Sequence, residues 1–258
     1  MVERTFVSES TGPIVLGLDL PMGRVRVQVL DSVTTARVVL RTDDSSGPAA
    51  EAVDRARSSQ NGQAMAVEVP EIPGNVMTQS VSGNRVVQSM ETVYGSVTGM
   101  TIVNGRVITG GGTAVMETVS PIEAIVTLPT GSSLAVISQS ADARVRGDIE
   151  RMEFRSVSGD LEISGARNLN ASTTSGDVIV GRLTDRLTAY SVSGDITVDL
   201  YSGSDAELTT TSGDMDVRAT VRAVGILCAN TVSGDVRVSG GSQLRVSANS
   251  VSGRVCTR

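Results

Sequence analysis

A short phrase recurs seven times between about residue 134 and residue 258, and this repetition constrains the fold more than any other feature. The phrase alternates apolar and polar residues on both sides of a Ser-Gly-Asp turn, and successive turn centres are 17 to 21 residues apart. A unit of this length cannot bury its own apolar face, so the units must stack on one another. The seven turns are Ser140-Ala141-Asp142, Ser158-Gly159-Asp160, Ser175-Gly176-Asp177, Ser193-Gly194-Asp195, Ser212-Gly213-Asp214, Ser233-Gly234-Asp235 and Ser252-Gly253-Arg254.

Each repeat predicts two short strands joined by its turn, because apolar residues alternate on both sides of the turn glycine. The position three before that glycine is always Ser or Thr. Such uniform columns favour a β-solenoid, in which equivalent residues of neighbouring rungs lie about 4.8 Å apart. An antiparallel meander with a hairpin at each turn is the alternative. The residues that we expect in the core are Val178, Val180, Leu187, Ile196, Val198 and Val236.

The chain divides into three segments by pattern. Residues 121–258 predict a β-solenoid of about seven rungs of 17–21 residues in an all-β protein. Residues 1–73 predict a β-rich N-terminal capping region with one short helix near residues 47–58, whose alanines make an apolar face. Residues 74–120 are a Gly-rich segment of irregular strands and loops. The phrases Leu20-Pro21-Met22-Gly23 and Leu128-Pro129-Thr130-Gly131 each separate two alternating strands, so both are predicted to turn a corner.

Composition excludes several classes of function. The chain has no His, and all 22 basic residues are Arg. Catalytic Ser-His-Asp sites and His zinc sites are therefore excluded, as are Lys-dependent phosphate loops and Schiff bases. The net charge is −6 and aromatic residues are only 2% of the chain, so we expect no nucleic-acid binding.

Location and partners follow from the ends of the chain and from its cysteines. The segment 1–6 lacks the basic and apolar regions of a signal peptide, and no stretch is long enough for a membrane span, so we expect a cytoplasmic chain. Cys228 and Cys256 fall in outward columns and are expected to be free thiols. The last repeat stops within its own strand, which predicts a protein partner or self-association through the C-terminal rung, with a homodimer as one form.

The aspartates of the turns would lie in line along a solenoid. Neighbouring like charges at this spacing cost about 0.9 kcal/mol each even at the dielectric constant of water. One explanation is that each carboxylate accepts backbone N–H bonds within its own turn. The other is a bound cation such as Ca²⁺, which takes several oxygen ligands. The candidate metal ligands are Asp160, Asp177, Asp195, Asp214 and Asp235, and no catalytic or cofactor-binding residue is predicted.

The repeated phrase resembles that of the bacterial putative-adhesin family of β-strand-repeat proteins, a domain family of unknown function. The stretches 154–163 and 172–178 carry the resemblance, and the lead-in over 128–134 resembles that of actinobacterial members. The leading interpretation of the sequence is a non-catalytic β-solenoid scaffold or protein-interaction module, connected with envelope or stress-related assembly. The alternatives are a polysaccharide-active β-helix enzyme, which can act with carboxylates and Arg alone, and a cation-binding module that uses the Asp column.

Overall fold

The computed structural model describes residues 1–72 and 120–257 with their side chains, and between them the backbone of the strands β7 to β11. The N-terminal part contains β1 (Val2–Val7), β2 (Val15–Asp19), β3 (Met22–Leu30), β4 (Arg37–Thr42), α1 (Pro48–Arg55), β5 (Arg57–Asn61) and β6 (Ala64–Glu68). The intervening strands are β7 (Val76–Ser82), β8 (Arg85–Met90), β9 (Met100–Val103), β10 (Arg106–Thr109) and β11 (Glu117–Val119). The remaining strands are β12 (Glu123–Pro129), β13 (Ser133–Ile137), β14 (Ser140–Arg155), β15 (Leu161–Ser172), β16 (Val178–Leu183), β17 (Arg186–Tyr190), β18 (Ile196–Tyr201), β19 (Asp205–Thr210), β20 (Met215–Ala219), β21 (Val224–Thr231), β22 (Val236–Gly240), β23 (Gln243–Ser250) and β24 (Val255–Thr257).

The repeats form a parallel β-solenoid, as the sequence predicts. Strands that precede the turns pair with one another and form layer A, which runs from β13 through β14, β15, β17, β19 and β21 to β23. Strands that follow the turns form layer B, which runs through β14, β15, β16, β18, β20, β22 and β24. The long strands β14 and β15 contribute to both layers. All these pairings are parallel, so a meander with antiparallel hairpins at the turns is excluded.

The N-terminal strands β2 and β3 form a rung inside this stack. Strand β2 pairs in parallel with β6 on one side and with β13 on the other. Strand β3 likewise lies between β12 and β14. The rung of β2 and β3 therefore lies between the rung of β6 and β12 and the rung of β13 and β14, although β2 and β3 precede all four of these strands in the sequence. Residues 1–73, predicted from sequence as a capping region, thus contribute both to the stack and to its cap.

The cap of the N-terminal end consists of antiparallel strands and the predicted helix. Strand β4 pairs antiparallel with β12 and β1, and β5 pairs antiparallel with β6. Helix α1 begins directly after Gly47, has Pro48 in its first turn, and contacts β1 and β4. Its buried face is made of Ala49, Ala50, Ala52 and Val53. This end of the apolar core is therefore covered.

The two corners with a Leu-Pro-x-Gly phrase lie on opposite sides of the solenoid. Gly23 stacks in register with Ala141, so it occupies the same column as the glycines of the Ser-Gly-Asp turns. Gly131 lies between β12 and β13, where the chain returns from layer B to layer A, and it has a φ of 80°. Both phrases turn corners as predicted, but only the first occupies a repeat turn.

The core fills the space between the layers with small and medium aliphatic side chains. All six residues that the alternation predicts as core are at most 1% exposed. Residues of the intervening positions point outward, as Ile179 does with 44% of its surface exposed. The inward register of the repeats is therefore confirmed.

Replacing one inward residue tests how much its burial contributes to the free energy of unfolding. We expect Ile196→Ala to lower the free energy of unfolding by about 2–5 kcal/mol, because it leaves a cavity between rungs. The control Ile179→Ala removes an outward side chain of the neighbouring rung and should cost less than about 1 kcal/mol. Urea unfolding followed by far-ultraviolet circular dichroism measures both values. Equal losses in the two variants would contradict the assigned faces.

The turn glycines are required by a close backbone approach. A Cβ atom on Gly194 would lie 1.9 Å from the carbonyl oxygen of Gly176, and one on Gly176 would lie 1.9 Å from that of Gly159. The φ angles of these three glycines are not in the left-handed region. Glycine in a turn is often required for its backbone freedom, whereas at these glycines stacking leaves no room for a side chain.

An alanine scan of two glycines separates these causes. We expect Gly194→Ala to destabilise the chain by at least about 2 kcal/mol, because the methyl group overlaps a backbone atom that cannot move alone. The control is Gly17→Ala in β2, where a Cβ atom would meet only the Met65 carbonyl oxygen, at 4.0 Å. It should stay within about 1 kcal/mol of the wild type. Thermal and urea unfolding give the comparison, and a neutral Gly194→Ala would argue against the steric explanation.

Candidate functional site

The aspartates of the turns form a hydrogen-bonded ladder along one corner of the solenoid. The Oδ1 atom of each carboxylate accepts the backbone N–H of the equivalent residue in the next rung. The donor–acceptor distances run from 2.7 to 3.2 Å, for the donors Asp160, Asp177, Asp195, Asp214, Asp235 and Arg254. All the candidate metal ligands thus lie in line, as predicted. The bonds go to the next rung, however, and not to the residue's own turn as we expected.

A second column supports the same corner from inside. In the first four repeats, the hydroxyl of the Ser or Thr three residues before the central turn residue accepts the N–H of that residue, as Ser191 does from Gly194 at 2.9 Å. Several of these hydroxyls also donate to a carbonyl oxygen of the preceding rung, as Thr210 does to Gly194. These side chains are buried or nearly so. The column therefore holds the turn where its hydroxyls accept and joins the rungs where they donate, which is consistent with the constant Ser or Thr at this position.

The ladder leaves one carboxylate oxygen per rung without a role in joining the rungs. An exposed row of such oxygens could attract a hard cation. Among the residues described with side chains, no three acidic or cysteine residues come together as a metal site. Cys228 and Cys256 are free thiols, as expected. The hydrogen bonds already account for the alignment of the carboxylates, because each ionised acceptor is bound to an N–H donor.

Substitutions at Asp195 distinguish the ladder from a cation site. Asp195→Ala removes the acceptor of the Asp214 N–H, a 2.8 Å bond, and should cost about 0.5–1.5 kcal/mol. Asp195→Asn keeps an acceptor oxygen and relieves repulsion, so it should be at least as stable as the wild type. The control Asp199→Ala, on the outer face beside Arg218, should be nearly neutral.

The same proteins test calcium directly. We expect neither chelator nor millimolar Ca²⁺ to change the melting temperature, since hydrogen bonds already hold the carboxylates in place. If Ca²⁺ raises the melting temperature of the wild type and Asp195→Asn weakens that rise, the ladder is a cation site. Differential scanning calorimetry provides the measurement.

A groove of about 350 Å³ lies beside the N-terminal end of the ladder. It combines the carboxylates of Asp142, Asp160 and Glu162 with the guanidinium groups of Arg24 and Arg144. Arg144 pairs with Glu162 at 2.6 Å. Asp142 has a solvent-exposed surface, but the protein around its carboxylate desolvates it, and this raises its pKa above 3.8. In the groove the ladder thus meets the cation of a neighbouring column, Arg144.

Sequence reasoning missed this groove because it did not align β2 and β3 with the repeats. Gly23 shares the column of the turn glycines, so Arg24 occupies the Asp column. Glu123 precedes it in that column, and Arg254 follows Asp235 at the other end. The row of six aspartates is therefore bounded by an arginine at each end. Aligning the Leu-Pro-x-Gly phrase with the repeats, glycine to glycine, would have placed Arg24 there.

The outer faces are lined by ion pairs between rungs. Arg182 bonds to both carboxylate oxygens of Asp148 at 2.6 Å, and Arg186 lies 3.2 Å from Asp205. Among the described aromatic side chains, Phe154 and Tyr201 are buried, while Tyr190 is 52% exposed. The described surface thus offers a single largely exposed ring for stacking on a sugar. Within the described part of the chain, no helix has the length and apolar character needed to cross a membrane.

This architecture is a parallel β-solenoid with stacked Ser-Gly-Asp turns, and the comparison with known families shows the family to which it belongs. The model of the Toastrack DUF4097 family matches residues 56–257, and the chain belongs to this family. The match covers the solenoid and begins just after the helix. No curated protein matches this sequence.

Several solved structures are similar to this chain, and one of them has a TM-score above 0.5. A putative adhesin from Bacteroides fragilis has 13% sequence identity and a TM-score of 0.54, over 99% of this chain and 97% of that chain. A putative lipid binding protein from Parabacteroides distasonis has 12% identity and a TM-score of 0.41, over 100% and 97% of the two chains. A putative cell adhesion protein from Clostridium sporogenes has 9% identity and a TM-score of 0.34, over 99% of both chains. At these identities the first structure shows a common fold and nothing about ligands.

Proposed function

We propose that this protein is a non-catalytic β-solenoid scaffold that binds other proteins, in envelope or stress-related assembly. The proposal rests on one observation, namely that the repeated polar residues form hydrogen bonds that hold the solenoid together. The Asp and Ser/Thr columns are hydrogen-bonded within and between rungs, so the most regular chemistry of the chain supports its own fold. Membership of a family whose structural neighbours include putative adhesins is in keeping with such a role.

The surfaces left for binding are broad and regular. Outward residues of layer A include large apolar side chains that are about half exposed, namely Ile137, Tyr190 and Ile226. They lie among polar residues and ion pairs, a mixture typical of protein-binding surfaces. A rigid sheet presents such residues at fixed spacing, so binding requires little ordering of the backbone.

Site-specific photo-crosslinking in the native host tests the proposal. A photoreactive amino acid is placed at Ile137, Tyr190 or Ile226, in three separate variants. We expect at least one position to give a discrete adduct with another polypeptide, identified by mass spectrometry. Its loss on a charge reversal of the adjacent outward residues, with an unchanged melting temperature, provides the control. Three variants that form no polypeptide adduct would remove the interaction role.

A polysaccharide-active enzyme is the second candidate, and the groove favours it. Asp142 has a raised pKa beside other carboxylates, which is the arrangement that a general acid requires. The experiment measures release of reducing ends from soluble bacterial and plant polysaccharides by the wild type and by Asp142→Asn. We expect no release above the blank from either protein. Release by the wild type that Asp142→Asn abolishes would replace the scaffold by an enzyme.

A further inference from the structure

The C-terminal rung presents two strand edges. In the part of the chain that the structure describes, β23 pairs with β21 and β24 pairs with β22, each on one side only. Val236 donates its N–H to the carbonyl oxygen of Arg254 at 2.8 Å. In a parallel sheet, the N–H and C=O groups of successive residues point alternately to the two sides of the strand. Because Arg254 bonds to β22, the N–H and C=O of Val255 point to the open edge. Unpaired strand edges of this kind are templates for an added strand.

Burial of the core is incomplete at this rung. Val255 is 41% exposed, whereas Val236 in the same column is fully buried. Val246 and Ala248 are only partly buried, although their equivalents in β21, Leu227 and Ala229, are fully buried. An added strand would therefore gain apolar contact as well as backbone hydrogen bonds.

The charge of this rung is opposite to that of the whole protein. Residues 243–258, from the start of β23, contain three arginines and no acidic residue, although the chain carries a net charge of −6. In the preceding rung, Arg237 pairs with Asp235 of its own turn. The side chains of Arg245 and Arg254 have no ion-pair partner among the described residues. The terminal edge is thus a basic surface on an acidic protein.

The ladder changes its chemistry at the same point. Asp235 accepts the N–H of Arg254 at 2.9 Å, as every preceding carboxylate accepts the N–H of the next rung. Arg254 then presents a guanidinium group at the position where the six preceding turns present a carboxylate. A strand added beyond it would meet a cation there and would be favoured by acidic residues of its own.

We propose that the C-terminal rung binds an extended acidic segment of a partner protein, which adds as a further strand along β23 and β24. Main-chain bonds to the open edge would supply the affinity, and Arg245 and Arg254 would select acidic side chains. A second copy in a face-to-face dimer would oppose these arginines to each other without an intervening acid. The partner's acidic segment is therefore the favoured occupant. This inference rests on the proposed interaction role and names the partner's chemistry.

Binding of model peptides tests it. The probes are two fluorescein-labelled peptides of about ten residues, a common strand length, one alternating Val with Glu and the other Val with Lys. Anisotropy is measured on the full chain. We expect the acidic peptide to bind about tenfold more tightly than the basic one, with an affinity that falls as salt is added. The double variant Arg245→Glu/Arg254→Glu should reverse this preference.

Two further proteins complete the design. Val255→Pro removes an N–H of the open edge without breaking a bond inside the stack, so it should weaken the acidic peptide about fivefold or more with an unchanged circular dichroism spectrum. The control Arg55→Glu/Arg57→Glu makes the same charge change at the opposite end and should keep the preference for the acidic peptide.

Three results would overturn the proposal. The first is the absence of peptide binding, and the second is equal affinity for both peptides. The third is self-association of the chain alone, seen by light scattering and lost in Val255→Pro, which would make a second copy the occupant. If the peptides do not bind but layer A gives crosslinks, the protein still binds other proteins, and only the C-terminal rung is excluded as a binding surface.

Discussion

The close stacking of backbone against backbone at the turn glycines is the contact on which the rest of the structure depends. At the six turn glycines from Gly159 to Gly253, the corner of a rung approaches the corner of the preceding rung so closely that a Cβ atom would lie about 2 Å from a carbonyl oxygen. This approach lets each carboxylate reach the next rung's N–H and lets the Ser or Thr hydroxyl reach a carbonyl oxygen of the rung before. A wider corner would lose both sets of bonds, and with them the parallel register of both layers.

The ladder also resolves an electrostatic difficulty that regular repetition creates. Stacked carboxylates repel one another, yet each accepts an N–H bond that stabilises its charged form. Arginines stand at both ends of the row, Arg24 next to Asp142 and Arg254 next to Asp235. The negative column is therefore bounded by positive charge, and each boundary coincides with a surface feature. At one end it is the groove, and at the other it is the open rung.

These features divide the molecule by role. The corners and the interior of the repeats maintain the stack, and their polar groups are engaged in it. The outer faces carry ion pairs and scattered apolar residues, and the N-terminal end is closed by α1 and antiparallel strands. Against this background the groove brings charges of opposite sign together beside the ladder, and the C-terminal rung has strand edges that are unpaired among the described residues. Both proposed ligand sites therefore lie at the ends of the Asp column, because the repeated motif itself is engaged in hydrogen bonds of the stack.

The sequence by itself determined what depends on local periodicity. The alternation around each turn identified Ile196 and Val198 as core, the constant repeat length required stacking, and the Asp column followed from both. Tertiary structure alone decided the rest. The acceptor role of Asp195 toward the next rung depends on the offset between rungs, which no single repeat encodes. The insertion of β2 and β3 into the stack, and hence the place of Arg24, depends on pairing between strands that are more than 90 residues apart. Local patterns specify which face of a strand is buried, but only packing selects the neighbour against which it is buried.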